Sequence, residues 1–510
     1  MLEDGKIYLG LSKDDPEKKV FLPLSQANRH GLIAGASGTG KTVTMKVMAE
    51  SFSAAGVPVF LCDVKGDVSG ICEKGKDSDG MQRRIDRFGI RDTFSYRPYP
   101  TVFYDLYGKG GHQIRTTVSD IGPALLSRIL DLTDVQEGVL EIVFRVADEQ
   151  GLKILDLKDL RAMLTYVSDH RDEFTSTYGN VAPQSIGAIL RALLPLDKEG
   201  GELFFGEPAF DILDWIRTAE DGRGYINVLH CVETVRSPRI YSIFLLWMMA
   251  ELFEVLPEEG DPDKPKLVFF FDEAHLLFSD APKALLAKIE QTVKLIRSKG
   301  VGIYFVTQSP SDIPDPVLAQ LSNRVQHALR AYTPAEQKAV RTAAQTFRPN
   351  PAFSTEEAIM TLGTGEALVS CLDEKGVPQI VERTAVICPE SLMAPASVTA
   401  RRAAMLHSPV GDKYDTPVDR ESAYELLTGR AAEAAEAAAK EKEETERKKT
   451  EAAEKAAEEK EKEKKEKEAE KKKKAEDKRA EKRRDKIESQ LIRTGGSLLS
   501  RGLLSILKRL

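Results

Sequence analysis

His30–Thr42 reads HGLIAGASGTGKT, a short apolar run that ends in a glycine-rich turn followed by Lys41 and Thr42. Gly35, Ala36, Ser37, Gly38, Thr39, Gly40, Lys41 and Thr42 fill the pattern G-x-x-x-x-G-K-[ST] in full. Three glycines let the backbone wrap around phosphate with its N–H groups turned inward, and the N-terminus of the next helix adds partial positive charge. That helix is predicted over Thr42–Ala55, with Val43, Val47 and Met48 at helical spacing. Val57–Cys62 (VPVFLC) then reads as a buried parallel strand, which completes a βαβ unit. Here Lys41 is expected on the β- and γ-phosphates of ATP, and the Thr42 hydroxyl on Mg2+.

Leu267–Glu273 (LVFFFDE) supplies the other half of such a site. An apolar run ending in Asp places a carboxylate at the carboxyl end of a strand, beside the phosphate loop. Asp272 is expected to hold the metal, and Glu273 to deprotonate an attacking water. A kinase acting on a small molecule needs no such glutamate, so the pair favours hydrolysis. Asp272–His275 also spells the DEAH box of a class of RNA helicases, but the stretch from Thr42 to Asp272 is far too long for them; His275 is expected to bond locally. Gly302–Val306 predicts a further strand, and Gln308 just past it can touch the γ-phosphate or the water if that strand lies between the other two.

Gly222–Leu229 returns to strand character (YINVL), and short apolar strands alternating with helices predict an α/β fold with a parallel sheet covered by helices on both faces. Residues 1–24 read as a short strand region and 25–430 as the core, with a mainly helical insertion over about 112–215. Thr133-x-x-Gln136 is a capping box within that insertion. Ile240–Leu256 is the longest apolar stretch; it carries Glu251 and Glu254 and is too short to span a bilayer, so it predicts a buried helix. No signal peptide or transmembrane segment is read, which points to the cytoplasm. Five widely spaced cysteines without a C-x-x-C suggest reduced thiols, neither a disulfide frame nor a zinc site.

Charge is unevenly distributed. The chain carries −7 overall, while residues 431–510 hold 25 Lys and Arg against 20 Asp and Glu, which leaves residues 1–430 at −12. An acidic body does not advertise nucleic-acid binding, so any DNA contact would have to use a local basic surface such as a pore lining. Residues 431–490 are almost entirely Ala, Glu, Lys and Arg; without a heptad seam they predict a long single helix, in part disordered, in preference to a coiled coil. Residues 491–510 form a cationic amphipathic end in which Leu499, Leu503, Ile506, Leu507 and Leu510 share a face beside Arg501, Lys508 and Arg509, suited to a partner protein or an anionic membrane.

The phosphate loop, FFFDEAHLLF (269–278), VTQSP (306–310), LGTGEALVS (362–370) and DVKGD (63–67) together resemble the HerA branch of the FtsK/HerA superfamily, over roughly Lys6–Val410. The resemblance implies a RecA-like P-loop NTPase core, a hexameric ring, Mg2+-dependent ATP hydrolysis and double-stranded DNA threaded through the ring as in a translocase or helicase. It assigns Lys41 and Thr42 to phosphate and metal, Asp272 to metal, Glu273 to the base and Gln308 to the sensor. Rings of this kind complete each site with an arginine from the neighbouring subunit; Arg324 in LSNRVQHALR is the first choice, with Arg330 and Arg297 behind it. The family's N-terminal β-barrel is at most a remnant here, so docking of the usual nuclease partner is not carried over. The rival expectation is an ATP-switched scaffold that recruits a partner through its tail without translocating DNA.

Overall fold

The computed structural model describes residues 1–278 and 283–494. Its strands are Leu2–Glu3 (β1), Lys6–Ser12 (β2), Lys19–Pro23 (β3), Gly31–Ala34 (β4), Val59–Asp63 (β5), Thr101–Asp105 (β6), His112–Gln113 (β7), Ile226–His230 (β8), Leu267–Phe271 (β9), Val301–Thr307 (β10), Asn323–His327 (β11), Glu366–Ser370 (β12) and Glu382–Val386 (β13). Among the described residues all join one sheet, in the order β1-β2-β13-β12-β11-β4-β10-β9-β5-β8-β6-β7, with β3 paired to β2. From β11 to β7 every pairing is parallel, as the buried apolar runs require. β12, β13, β2 and β3 extend the sheet antiparallel. The first 24 residues thus supply three strands, and β2 pairs with β13 from the far end of the core.

Alternation along each strand divides the apolar side chains between two faces. Val268, Phe270, Tyr304 and Val306 pack on one face with Met45, Met48 and Phe52 of the helix Lys41–Ala54. Leu267, Phe269, Phe271, Ile303 and Phe305 pack on the other, where the aromatic ring of Trp215 lies 4.3 Å from that of Phe60. That second core takes in the helices between β7 and β8, including Val118–Ile129, Asp134–Gln150, Leu157–Asp169 and Pro183–Lys198. Thr133 opens one of them, its N–H donating to Gln136 Oε1 at 3.0 Å, as the capping pattern predicts. The helix Pro238–Val255 is buried over most of Ile240–Leu252 and exposed at its two ends. No described helix is long and apolar enough to cross a membrane.

By internal packing the chain divides into two units, Met1–Leu427 and Thr428 onward. A single helix, Ala423–Thr494, makes up the described part of the second unit, whose described side chains are exposed from Thr428 to Ile487. Its Glu–Lys pairs recur at i,i+4, as in Glu436–Lys440, Glu444–Lys448, Glu461–Lys465 and Glu470–Lys474. Each is weak in water, and their repetition is what supports a helix with no apolar face. The amphipathic residues Leu499–Leu510 lie outside the described residues.

His30 links the base of the phosphate-loop strand to its neighbours. Its Nδ1 accepts the Ile303 N–H at 3.0 Å, so the proton sits on Nε2, which donates to the Val293 carbonyl at 2.7 Å. A second proton on Nδ1 would face an N–H, and burial lowers the pKa of this imidazole to about 4. The unfolded chain therefore binds this proton first, and the stability His30 contributes is full above pH ~6.5 and declines as the pH falls toward 4, by up to ~1.4 kcal/mol per pH unit. Urea midpoints between pH 7.5 and 5 should fall more steeply for the native protein than for His30→Asn; equal slopes would remove His30 as the cause.

Candidate active site

β10 lies between β4 and β9, so three adjacent parallel strands deliver the phosphate loop, Gln308 and the Asp272–Glu273 pair to one edge of the sheet. The loop leaves β4 at Gly35 and enters its helix at Lys41, with positive φ at Gly35, Gly38 and Gly40. Neighbouring strand ends grip it: the Gly35 N–H donates to the Thr307 carbonyl at 3.2 Å and the Ala36 N–H to the Ala328 carbonyl at 2.8 Å. Gly365, from the LGTGEALVS segment, donates to the Thr39 carbonyl at 2.9 Å. Ser37 and Gly38 form the exposed crest, and Thr42 is part-buried in the first helical turn. Lys41 Nζ donates to the carbonyls of Gly35 at 2.6 Å and Ala36 at 3.2 Å. Burial lowers its pKa, while the nearby charges of Glu273 and Asp272 act to raise it, so segments some 230 residues apart in sequence share one electrostatic site.

Asp272 is 4% exposed, and its Oδ2 is buried without a hydrogen-bond partner. Burial, then the charge of Glu273, pushes its pKa up to about 7. An orphaned carboxylate oxygen at the same sheet edge as the phosphate cradle, close enough to act on the charge of Lys41, fits a hard divalent cation that takes its remaining ligands from phosphate and water. Among the described residues no cluster of three or more His, Cys, Asp or Glu suited to a metal occurs.

Glu273 has φ 47°, in the left-handed region that non-glycine residues seldom occupy, at a cost of about 1–2 kcal/mol. Both of its carboxylate oxygens are engaged. Oε1 accepts from Lys65 Nζ, while Oε2 accepts from Gln308 Nε2 at 3.3 Å and lies 3.2 Å from His275 Nδ1. Burial acts to raise the pKa of Glu273, but Lys65 and Gln308 outweigh it and hold the group below its ordinary value. His275 bonds locally, as its place in the sequence suggests.

Arg324 lies in β11 and is part-buried. Its Nε donates to the Leu321 carbonyl at 2.8 Å, Nη1 to Thr346 at 2.9 Å and Nη2 to Leu318 at 3.1 Å. Each guanidinium nitrogen thus donates one bond to a carbonyl of its own chain. Arg297 is ion-paired with Asp261 at 3.1 Å, whereas Arg330 is exposed and makes one bond, to the Met360 carbonyl at 2.9 Å.

Sequence reasoning assigned no role to two residues that the fold brings in. Lys65 stands in DVKGD two positions beyond β5, and that motif was the available signal; the fold sets β5 next to the acid-bearing strand. His327 ends β11 beneath the loop, with Nδ1 2.8 Å from the Glu366 carbonyl and Nε2 2.9 Å from Thr44 Oγ1. Burial lowers its pKa to about 4, so it is a neutral wedge. Nothing in its local sequence marks it.

A mostly parallel sheet in which one strand feeds a glycine loop into a helix and the second strand along from it ends in two acids defines a P-loop protein with a RecA-like core. Within that class the chain belongs to the helicase HerA-like C-terminal family, whose model matches residues 9–509. No curated protein matches the sequence. Among solved structures it is similar to the bacterial conjugative coupling protein TrwBΔN70 in its unbound monoclinic form, at 14% identity, 78% of this chain, 93% of that chain and TM-score 0.50. It is likewise similar to plasmid coupling protein TrwB with the non-hydrolysable ATP analogue ADPNP, at 14% identity, 78% and 93% coverage and TM-score 0.52. The complex of TrwB with the GTP analogue GDPNP gives 13% identity, 77% and 93% coverage and TM-score 0.51. At these identities the likeness is one of fold.

Proposed function

We propose that the protein is a Mg2+-dependent ATP hydrolase that works as a ring motor of the HerA type on double-stranded DNA. The observation that carries the reading is the strand order β4-β10-β9, which gathers a phosphate cradle, a polar amide and two carboxylates at one sheet edge. Gly35–Gly40 amides and the helix N-terminus bind the phosphates, and Lys41 turns from its loop carbonyls to the β/γ oxygens. Thr42 and Asp272 would hold Mg2+, which supplies charge neutralisation at those oxygens. Glu273 accepts the proton of the attacking water, and Gln308, bonded to Glu273, is the sensor that relays the state of the site to β10. The TrwB complex with an ATP analogue, on the same fold, supports ATP as the nucleotide.

A ring needs an arginine in trans, and Arg330 is the best of the three candidates because Arg324 and Arg297 are committed in cis. Family membership supports DNA as the track, and the acidic body confines the contact to a local basic surface. ATPase rate should rise when duplex DNA is added, and the particle should have several times the monomer mass of 56.4 kDa. A monomer whose turnover ignores every nucleic acid would overturn the motor. If tail truncation after Arg430 also abolished capture of a partner protein, the ATP-switched scaffold would take its place.

A further inference from the structure

Glu273 is flanked by residues from both neighbouring strands. β5 pairs with β9 in a register that sets Cys62 beside Phe271, so the chain leaving β5 runs alongside the acid pair and brings Lys65 to Glu273. β10 brings Gln308 from the opposite side. The Glu273 side chain is 6% exposed and the Lys65 side chain 51% exposed. Two adjacent, largely buried carboxylates, Asp272 and Glu273, need compensating cations, because an unpaired buried charge is costly. Lys41 belongs to the phosphate loop and lies nearest its carbonyls, so Lys65 is the ammonium that serves Glu273. The Lys65 side chain has no part in holding its own turn. Asp63 Oδ1 accepts the Gly66 N–H at 2.7 Å, and Ser69 Oγ donates to the Gly66 carbonyl at 3.0 Å.

We propose that Lys65 is the positioning residue for the hydrolytic glutamate, fixing the Glu273 carboxylate from the side opposite Gln308 so that it meets the water in one orientation. The left-handed backbone fixes where the side chain of Glu273 starts, and donors on both oxygens fix its plane. A carboxylate released on the Lys65 side would turn about its last torsion and present the wrong lone pair. Misplacing a catalytic group by about 1 Å costs ~10²-fold. Nothing in the family match or in the expected roles assigns this lysine, and the inference rests on Glu273 being the base.

The test uses the full-length protein and steady-state ATP hydrolysis. Lys65→Met should lower kcat by roughly 10- to 100-fold and leave KM for ATP within about 3-fold. Lys65→Arg, which keeps a donor and a charge, should restore kcat to within about 3-fold of native. In a Glu273→Gln background, Lys65→Met should change the single-turnover rate by less than about 2-fold, since both residues act through one carboxylate. Native kcat in Lys65→Met would overturn the proposal. So would the full Lys65→Met loss multiplied onto that of Glu273→Gln, because Lys65 would then act elsewhere. Normal turnover in Glu273→Gln alone would overturn the base assignment itself, a different failure from the other two.

Discussion

Glu273→Gln should bind ATP about as tightly as the native protein and hydrolyse it at least ~100-fold more slowly, since loss of a positioned base typically costs 10²–10⁴. The amide is nearly isosteric: its carbonyl oxygen keeps the Lys65 donor, and its NH2 faces Gln308, whose own amide can turn to present its oxygen, so the shape of the site survives. It also removes the charge that, after burial, does most to keep Asp272 protonated, so metal binding is not weakened through that residue. What is lost is the proton acceptor. Fluorescent-nucleotide titration and single-turnover hydrolysis read the two quantities separately. Turnover within a few-fold of native would mean that the water gives its proton elsewhere.

Gly35→Ala should reduce ATP affinity by at least ~100-fold in a protein that still folds. A Cβ at this position would lie 2.5 Å from His327 Cβ and 3.0 Å from Thr39 Oγ1, in backbone at φ +152° that L side chains rarely adopt. His327 has no room to yield, because it is fully buried and bonded through both nitrogens, to Glu366 and Thr44. The loop must shift instead, and a shift of its first residue moves every inward N–H that follows. Gly38→Ala is the internal control. Its Cβ would meet nothing within 4 Å, so only the φ +76° strain remains, about 1 kcal/mol and roughly 5-fold in affinity. Equal affinities for the two variants would show that contact with His327 does not shape the cradle.

The central strands were legible because each is short, apolar and bounded by a glycine turn or an acid. Leu267–Phe271 matches its reading residue for residue, and Val301–Thr307 extends the predicted strand by one residue at each end. The position of β10 between β4 and β9 was a condition in the sequence reading and is a fact of the fold. Arg324 was less legible. LSNRVQHALR marked Arg324 only by its place after Gln308, and the carbonyls of residues 318, 321 and 346 converge on its guanidinium only after folding. Lys65 was visible as part of a motif, without any local sign of its carboxylate partner more than 200 residues away.

Sequence alone determined the chemistry-bearing segments of this protein. The spacing of Gly35, Gly40, Lys41 and Thr42, the apolar run closed by Asp272 and Glu273, and the apolar-free tail are local patterns, and local patterns follow from backbone geometry and hydrophobic periodicity. Only the tertiary structure decided which strands are neighbours, that β2 closes against β13, which cation meets Glu273 and which arginine is tied down in its own subunit. Those outcomes depend on contacts between residues hundreds of positions apart, whose energies arise from packing and desolvation once the sheet has assembled, and no short window of sequence contains both partners.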